Sequence, residues 1–130
     1  MVTTLVVDDS KEWYELISRI LEPEEYQLTH AENIKTAQSF LENSLFRLLI
    51  LDAFMPDMDD WWKFYSLIKT DPRMVNMGIV ITFPRITPDF SGESKEQYKF
   101  LVENSDYFVI KPFTAQELIT AVSEVLKRSG

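Results

Sequence analysis

Short apolar runs recur along the chain at strand length: Leu5 to Val7, Leu48 to Leu51, Ile79 to Ile81 and Tyr107 to Ile110, with a weaker one around Tyr26 to Thr29. Between them, apolar residues fall at the three-to-four-residue spacing of a helix face. Trp13, Leu16, Ile17, Ile20 and Leu21 follow Ser10; Ala37, Phe40 and Leu41 follow Asn33; Leu118, Val122 and Val125 follow Thr114. Ser, Asn and Thr accept hydrogen bonds from the first free N–H groups of a helix, so each marks a start. Thr114 with Glu117 three residues on forms a capping box. Five strands alternating with five helices predict an α/β fold of right-handed βαβ crossovers, a doubly wound parallel sheet. The first, third and fourth runs are the most apolar and belong in the middle, covered on both faces. Phe83 to Gly92, with two prolines and a glycine, is long for a connection and is expected to be a mobile loop.

Four of the runs end on polar residues: Asp8-Asp9, Asp52, Thr82 and Lys111, the last followed by Pro112. The carboxyl ends of parallel strands share one edge of the sheet, where ligands bind. Three carboxylates, a hydroxyl and an ammonium would converge there. Like charges so close repel unless a cation enters, and Mg²⁺ takes one or two carboxylates together with phosphate oxygens. A carboxylate can also act as nucleophile towards a phosphoryl group, whose oxygens a metal, Lys111 and the Thr82 hydroxyl would stabilise.

Composition narrows the field. A length of 130 residues with 45% hydrophobic positions suits one domain over residues 1–130. The 13 Lys and Arg against 21 Asp and Glu give a net charge of -8, which opposes direct binding to a nucleic acid. Without cysteine there is neither disulfide nor thiolate metal site. The N-terminus lacks the pattern of a signal peptide and no apolar run approaches membrane-spanning length, so a cytoplasmic protein without membrane insertion is expected.

These residues resemble the receiver domain of two-component response regulators, in its stand-alone, chemotaxis-regulator-like form. The resemblance rests on Leu5-Val6-Val7-Asp8-Asp9-Ser10, on Leu49-Ile50-Leu51-Asp52-Ala53-Phe54-Met55-Pro56-Asp57-Met58-Asp59, on Ile79-Val80-Ile81-Thr82 and on Val109-Ile110-Lys111-Pro112-Phe113. It implies a flavodoxin-like five-stranded sheet in the order 2-1-3-4-5. It also implies that Asp52 accepts a phosphoryl group and that Mg²⁺, or Mn²⁺ in its place, is held by Asp9, by Asp8 through water, by Asp52 and by the backbone carbonyl of Phe54. Thr82, Lys111 and the backbone N–H of Phe83 would bind phosphoryl oxygens, and Phe108 with Thr82 would form the switch. The donor would be a sensor histidine kinase or phosphotransfer protein. A downstream protein target would read the face around the fifth strand and the helices on either side of it, and the chain would be a monomer or weak dimer. A cis peptide before Pro112 is expected on the same ground.

Several positions depart from that pattern. Asp60 and Asn104 stand where the family usually has glycine, so a left-handed turn at Asp60 would carry a side chain. Phe83 replaces a small residue, and if it leans over Asp52 it gates the site. Trp61 and Trp62 are adjacent on one helix and cannot both face the core. His30, the only histidine, matches no phosphodonor motif. Two other functions compete with the phosphoryl switch. One is a receiver-like scaffold that works without phosphorylation because Phe83 closes the site. The other is an Asp-nucleophile phosphatase, which would need a second Asp where Phe54 stands. A phosphoacceptor with at most slow autodephosphorylation, and not an enzyme, is the expected reading.

Overall fold

The computed structural model describes residues 1–53, 58–83 and 107–129. Strands β1 (Val2–Val7), β2 (Tyr26–Ala31), β3 (Leu48–Asp52), β4 (Gly78–Phe83) and β5 (Tyr107–Ile110) alternate with helices α1 (Lys11–Ile20), α2 (Ile34–Asn43) and α3 (Met58–Thr70) and a 3₁₀ turn at Pro72–Met74. Helix α4 (Ala115–Ser129) closes the chain. The sheet is parallel throughout, in the order β2-β1-β3-β4-β5, as expected. Residues 84–92 of the mobile loop expected over Phe83 to Gly92, the helix between the fourth and fifth strands, Phe54 and Asn104 lie outside the described residues.

The helix starts are where the capping residues put them. Ser10 Oγ accepts from Trp13 N–H at 3.3 Å, and Asn33 Oδ1 from Thr36 N–H at 2.8 Å. Thr114 and Glu117 exchange both bonds of the capping box at 3.1 Å. Such caps are worth about 1 kcal/mol each. Asp60 lies within α3, and no residue among those described has a positive φ, so the left-handed turn considered there does not form. The Trp61 and Trp62 side chains lie outside what is described.

Helices cover both faces of the sheet. On one face Leu5, Val7, Leu49, Leu51, Ile79, Ile81 and Phe83 pack with Ile34, Ala37 and Leu41 of α2 and Phe64, Tyr65 and Ile68 of α3. On the other, Val6, Leu48, Ile50, Val80 and Val109 pack with Ile17 of α1 and Leu118, Ala121, Val122 and Val125 of α4. Strands β1, β3 and β4 are buried almost throughout because both faces are covered. Leu16 departs from its expected place: turned about 100° from Ile17 on the helix, it stays exposed. Where β4 begins, α4 comes so close that a Cβ on Gly78 would lie 2.9 Å from Val125 Cγ2. Glycine permits that approach.

Phe83 corrects the sequence reading. It is the last residue of β4, paired with Ile110, and not the first residue of a loop. Successive side chains of a strand point to opposite faces, so Phe83 follows Ile79 and Ile81 into the α2/α3 core while Thr82 follows Val80 to the other face. Asp52 lies on the side of Leu48 and Ile50 by the same alternation. The Phe83 ring is fully buried and meets Phe108 edge to face at 5.7 Å between ring centres. It fills core space and does not lean over Asp52. Phe83→Ala should therefore cost about 3–5 kcal/mol of stability in chemical denaturation, as deletion of a buried phenyl ring does; a loss below about 1 kcal/mol would place the ring outside the core.

Candidate functional site

Because all five strands are parallel, their carboxyl ends bring the polar residues to one edge of the sheet. Asp8 follows β1, Asp52 ends β3, Thr82 lies beside Asp52 in register, and Lys111 follows β5. Oxygens of Asp8, Asp9 and Asp52 lie within 4.8 Å of one another. Asp8 and Asp52 are buried, at 2% and 5% exposure, whereas Asp9 is open to solvent. The expected convergence is present.

Lys111 offsets part of the charge. Its Nζ donates to Asp8 Oδ2 at 2.8 Å and lies 3.6 Å from Asp52 Oδ2. The ammonium also stands 4.9 Å from the centre of the Trp13 ring, which itself packs on Phe113 at 5.1 Å. A cation over an indole face is attracted by the ring quadrupole. The Lys111–Pro112 peptide is cis, as expected. The main chain braces the same edge: Ala53 N–H donates to Thr82 O at 2.9 Å and Lys111 N–H to Phe83 O at 2.7 Å.

Asp8 is committed at every polar atom. Its Oδ1 accepts from Ser10 N–H at 2.9 Å and its Oδ2 from Lys111. Its N–H donates to Ala31 O at 3.1 Å, and its carbonyl lies 2.8 Å from His30 Nε2. Thr82 is the opposite case. Its Oγ is buried and has no hydrogen-bond partner among the described residues. Leaving a buried hydroxyl unpaired costs about 1–3 kcal/mol, so a ligand oxygen that accepted from it would recover that cost.

Three carboxylate oxygens so close together suit a hard divalent cation of the Mg²⁺ class. An ammonium and an orphaned hydroxyl beside them suit an anion with several oxygens. Asp8, Asp9, Asp52, Thr82 and Lys111 thus come together, while Phe54 lies outside the described residues. The Phe83 carbonyl accepts from Lys111 N–H at the edge of the site while its ring lies in the core, and Phe108 is half-buried against that ring. Sequence reasoning missed the His30 bond and the Trp13 platform. The only signal for either was an aromatic or imidazole ring within a few residues of a strand end.

Comparison with known proteins agrees with this geometry. The chain belongs to the response regulator receiver domain family, whose model matches residues 4–123. It is 28% identical to the phosphate regulon transcriptional regulatory protein PhoB of Pseudomonas aeruginosa over 98% of this chain and 53% of that one. It is 30% identical to a CpxR homolog of Haemophilus influenzae over 100% of this chain and 52% of that one. The chain spans about half the length of these curated relatives. Among solved structures, the receiver domain of a Syntrophus aciditrophicus histidine kinase superposes with a TM-score of 0.80 at 26% identity, covering 98% and 92% of the two chains. The chemotaxis response regulator CheY4 of Vibrio cholerae shares the fold, with a TM-score of 0.76 at 24% identity over 97% and 99%. Receiver domains are signalling modules. No described helix is long and apolar enough to cross a membrane.

Removing Lys111 tests the charge balance. Lys111→Met leaves two buried carboxylates facing each other, and breaking such a pair costs about 3–5 kcal/mol. The variant should melt well below the parent in chelator, and added Mg²⁺ should raise its Tm by more than it raises the parent's. An equal rise in both proteins would mean that the ammonium and the cation do not share the carboxylates.

Proposed function

We propose that this receiver domain is a phosphoacceptor of a two-component or phosphorelay system, with Asp52 as the residue phosphorylated. The observation that carries the reading is the buried, unpaired Thr82 hydroxyl next to Asp52, with Lys111 Nζ already 3.6 Å from that carboxylate. An oxygen of Asp52 attacks the phosphorus of a phosphohistidine on a sensor histidine kinase or phosphotransfer protein. The phosphorus–nitrogen bond breaks, its electron pair stays on the imidazole, and solvent protonates that nitrogen. Asp52 is left as an acyl phosphate. Lys111 turns from the carboxylates to the new phosphoryl oxygens, Thr82 donates its hydroxyl to one of them, and the Phe83 main chain borders the same edge.

Mg²⁺, or Mn²⁺ in its place, would neutralise charge on the phosphoryl oxygens when bound. Asp9 and Asp52 would hold it directly, with Asp8 acting through water and the Phe54 carbonyl as the further ligand that the resemblance implies. The commitment of both Asp8 oxygens to Ser10 and Lys111 supports the indirect role. Phe108, half-buried and edge-on to Phe83, is the switch aromatic of this reading. Movement of Thr82 biases the face around β5 and α4 between two states that a downstream protein distinguishes. The domain acts as a switch that loses its phosphoryl group slowly, not as a turnover enzyme. With Phe83 in the core, the observation that favoured a phosphorylation-independent scaffold is gone.

Incubation with acetyl phosphate and Mg²⁺ should add one phosphoryl mass to the intact protein. Asp52→Asn should lose essentially all of it while keeping the parent circular dichroism spectrum. Labelling that persists in Asp52→Asn would move the acceptor elsewhere, and a parent protein that never labels would return the scaffold reading.

A further inference from the structure

The acidic loop has an anchor outside the carboxylate cluster. Strands β1 and β2 pair with Val6 opposite His30 and Val7 opposite Ala31, and Asp8 N–H extends the ladder to Ala31 O. There β2 ends, so no further main-chain N–H of that strand is available to the Asp8 carbonyl. The side chain of His30 supplies the missing donor: Nε2 lies 2.8 Å from that carbonyl, and since a carbonyl only accepts, Nε2 carries the hydrogen. The imidazole is itself held flat against Tyr14 of α1, with ring centres 4.2 Å apart and planes 3° from parallel. Tyr14 N–H in turn donates to Ser10 O at 3.2 Å, which closes the circuit from β2 through α1 back to the loop.

The position of this bond gives it its effect. The Asp8 carbonyl belongs to the same planar peptide unit as the Asp9 nitrogen, so fixing that oxygen fixes the plane from which Asp9 departs. Asp9 is the exposed member of the carboxylate cluster, and its side chain makes no bond to another described residue that would aim it. Its aim comes from the backbone. We propose that His30, backed by Tyr14, is a positioning residue for a divalent cation: it orients the Asp8–Asp9 peptide so that the Asp9 carboxylate meets those of Asp8 and Asp52. The inference rests on the metal reading above and assigns the lone histidine a part in it. It touches no ligand side chain and takes no part in group transfer.

Calorimetric titration with Mg²⁺ tests the proposal on the unphosphorylated protein, alongside the Tm of each variant in chelator. His30→Ala removes the donor and should weaken binding on the order of tenfold, the low end of what outer-shell substitutions do to metal sites. His30→Gln places an amide N–H where Nε2 was and should return affinity to within about threefold of the parent. His30→Asn keeps a polar side chain of similar breadth but falls short of the Asp8 carbonyl, so it should bind as weakly as His30→Ala while folding like the parent. Affinity should follow the donor and not the Tm. Parent-like affinity in His30→Asn or His30→Ala overturns the proposal, as does a His30→Gln protein no better than His30→Ala. A parent protein that takes up no Mg²⁺ overturns the metal reading and this inference together, and the parent titration tells that failure from the others.

Discussion

Two buried carboxylates on neighbouring strands share one ammonium, and the carboxyl edge of the sheet is organised around that arrangement. A parallel sheet forces the problem, because every strand delivers its end to the same edge. Asp8 and Asp52 would repel in a nearly dry setting if nothing positive stood between them. Lys111 reaches both from β5, and by doing so links the sheet's edge strand to strands at its centre. The Trp13 ring behind it adds an attraction that does not compete for its hydrogen-bond donors. A cation or phosphoryl group entering the site therefore meets a partial charge compensation already in place and must rearrange it.

Much of the fold could be read directly from the chain, for a physical reason. Residues of strands covered on both faces must be apolar at every position, and runs such as Leu48 to Leu51 are visible at once. Helix starts were equally plain at Ser10, Asn33 and Thr114, since capping is a local bond within three residues. The carboxylates, Thr82 and Lys111 could be placed because parallel topology alone decides where strand ends go. Phe83 was misjudged through a boundary of one residue: with the strand ended at Thr82, size was the only guide to its side chain. Once the ladder extends to Phe83, alternation sends the ring to the opposite face. His30 was opaque for a different reason. Its bond to Asp8 depends on the register between β1 and β2, with Val6 opposite His30, and a slip of two residues would keep the same alternation of faces.

Asp8 and Thr82 divide the site into a finished part and an unfinished one. Every polar atom of Asp8 is bonded, to β2, a helix cap and Lys111, so it behaves as fixed structure. Thr82, close by on β4, has a buried hydroxyl with no partner among the described residues. The contrast is informative because natural interiors pair nearly all their buried polar groups, and exceptions gather where a ligand completes them.

The orphaned hydroxyl also bears on how long the protein lasts. A protein whose empty form carries an unmet hydrogen bond worth about 1–3 kcal/mol opens more often in that form, by a factor of roughly five to more than a hundred if a ligand restores the whole amount. Proteases act on the opened chain in proportion to its population when opening is fast. Filling the site on Thr82 would then lengthen the lifetime of the molecule as well as change its surface, and molecules left idle would be cleared first.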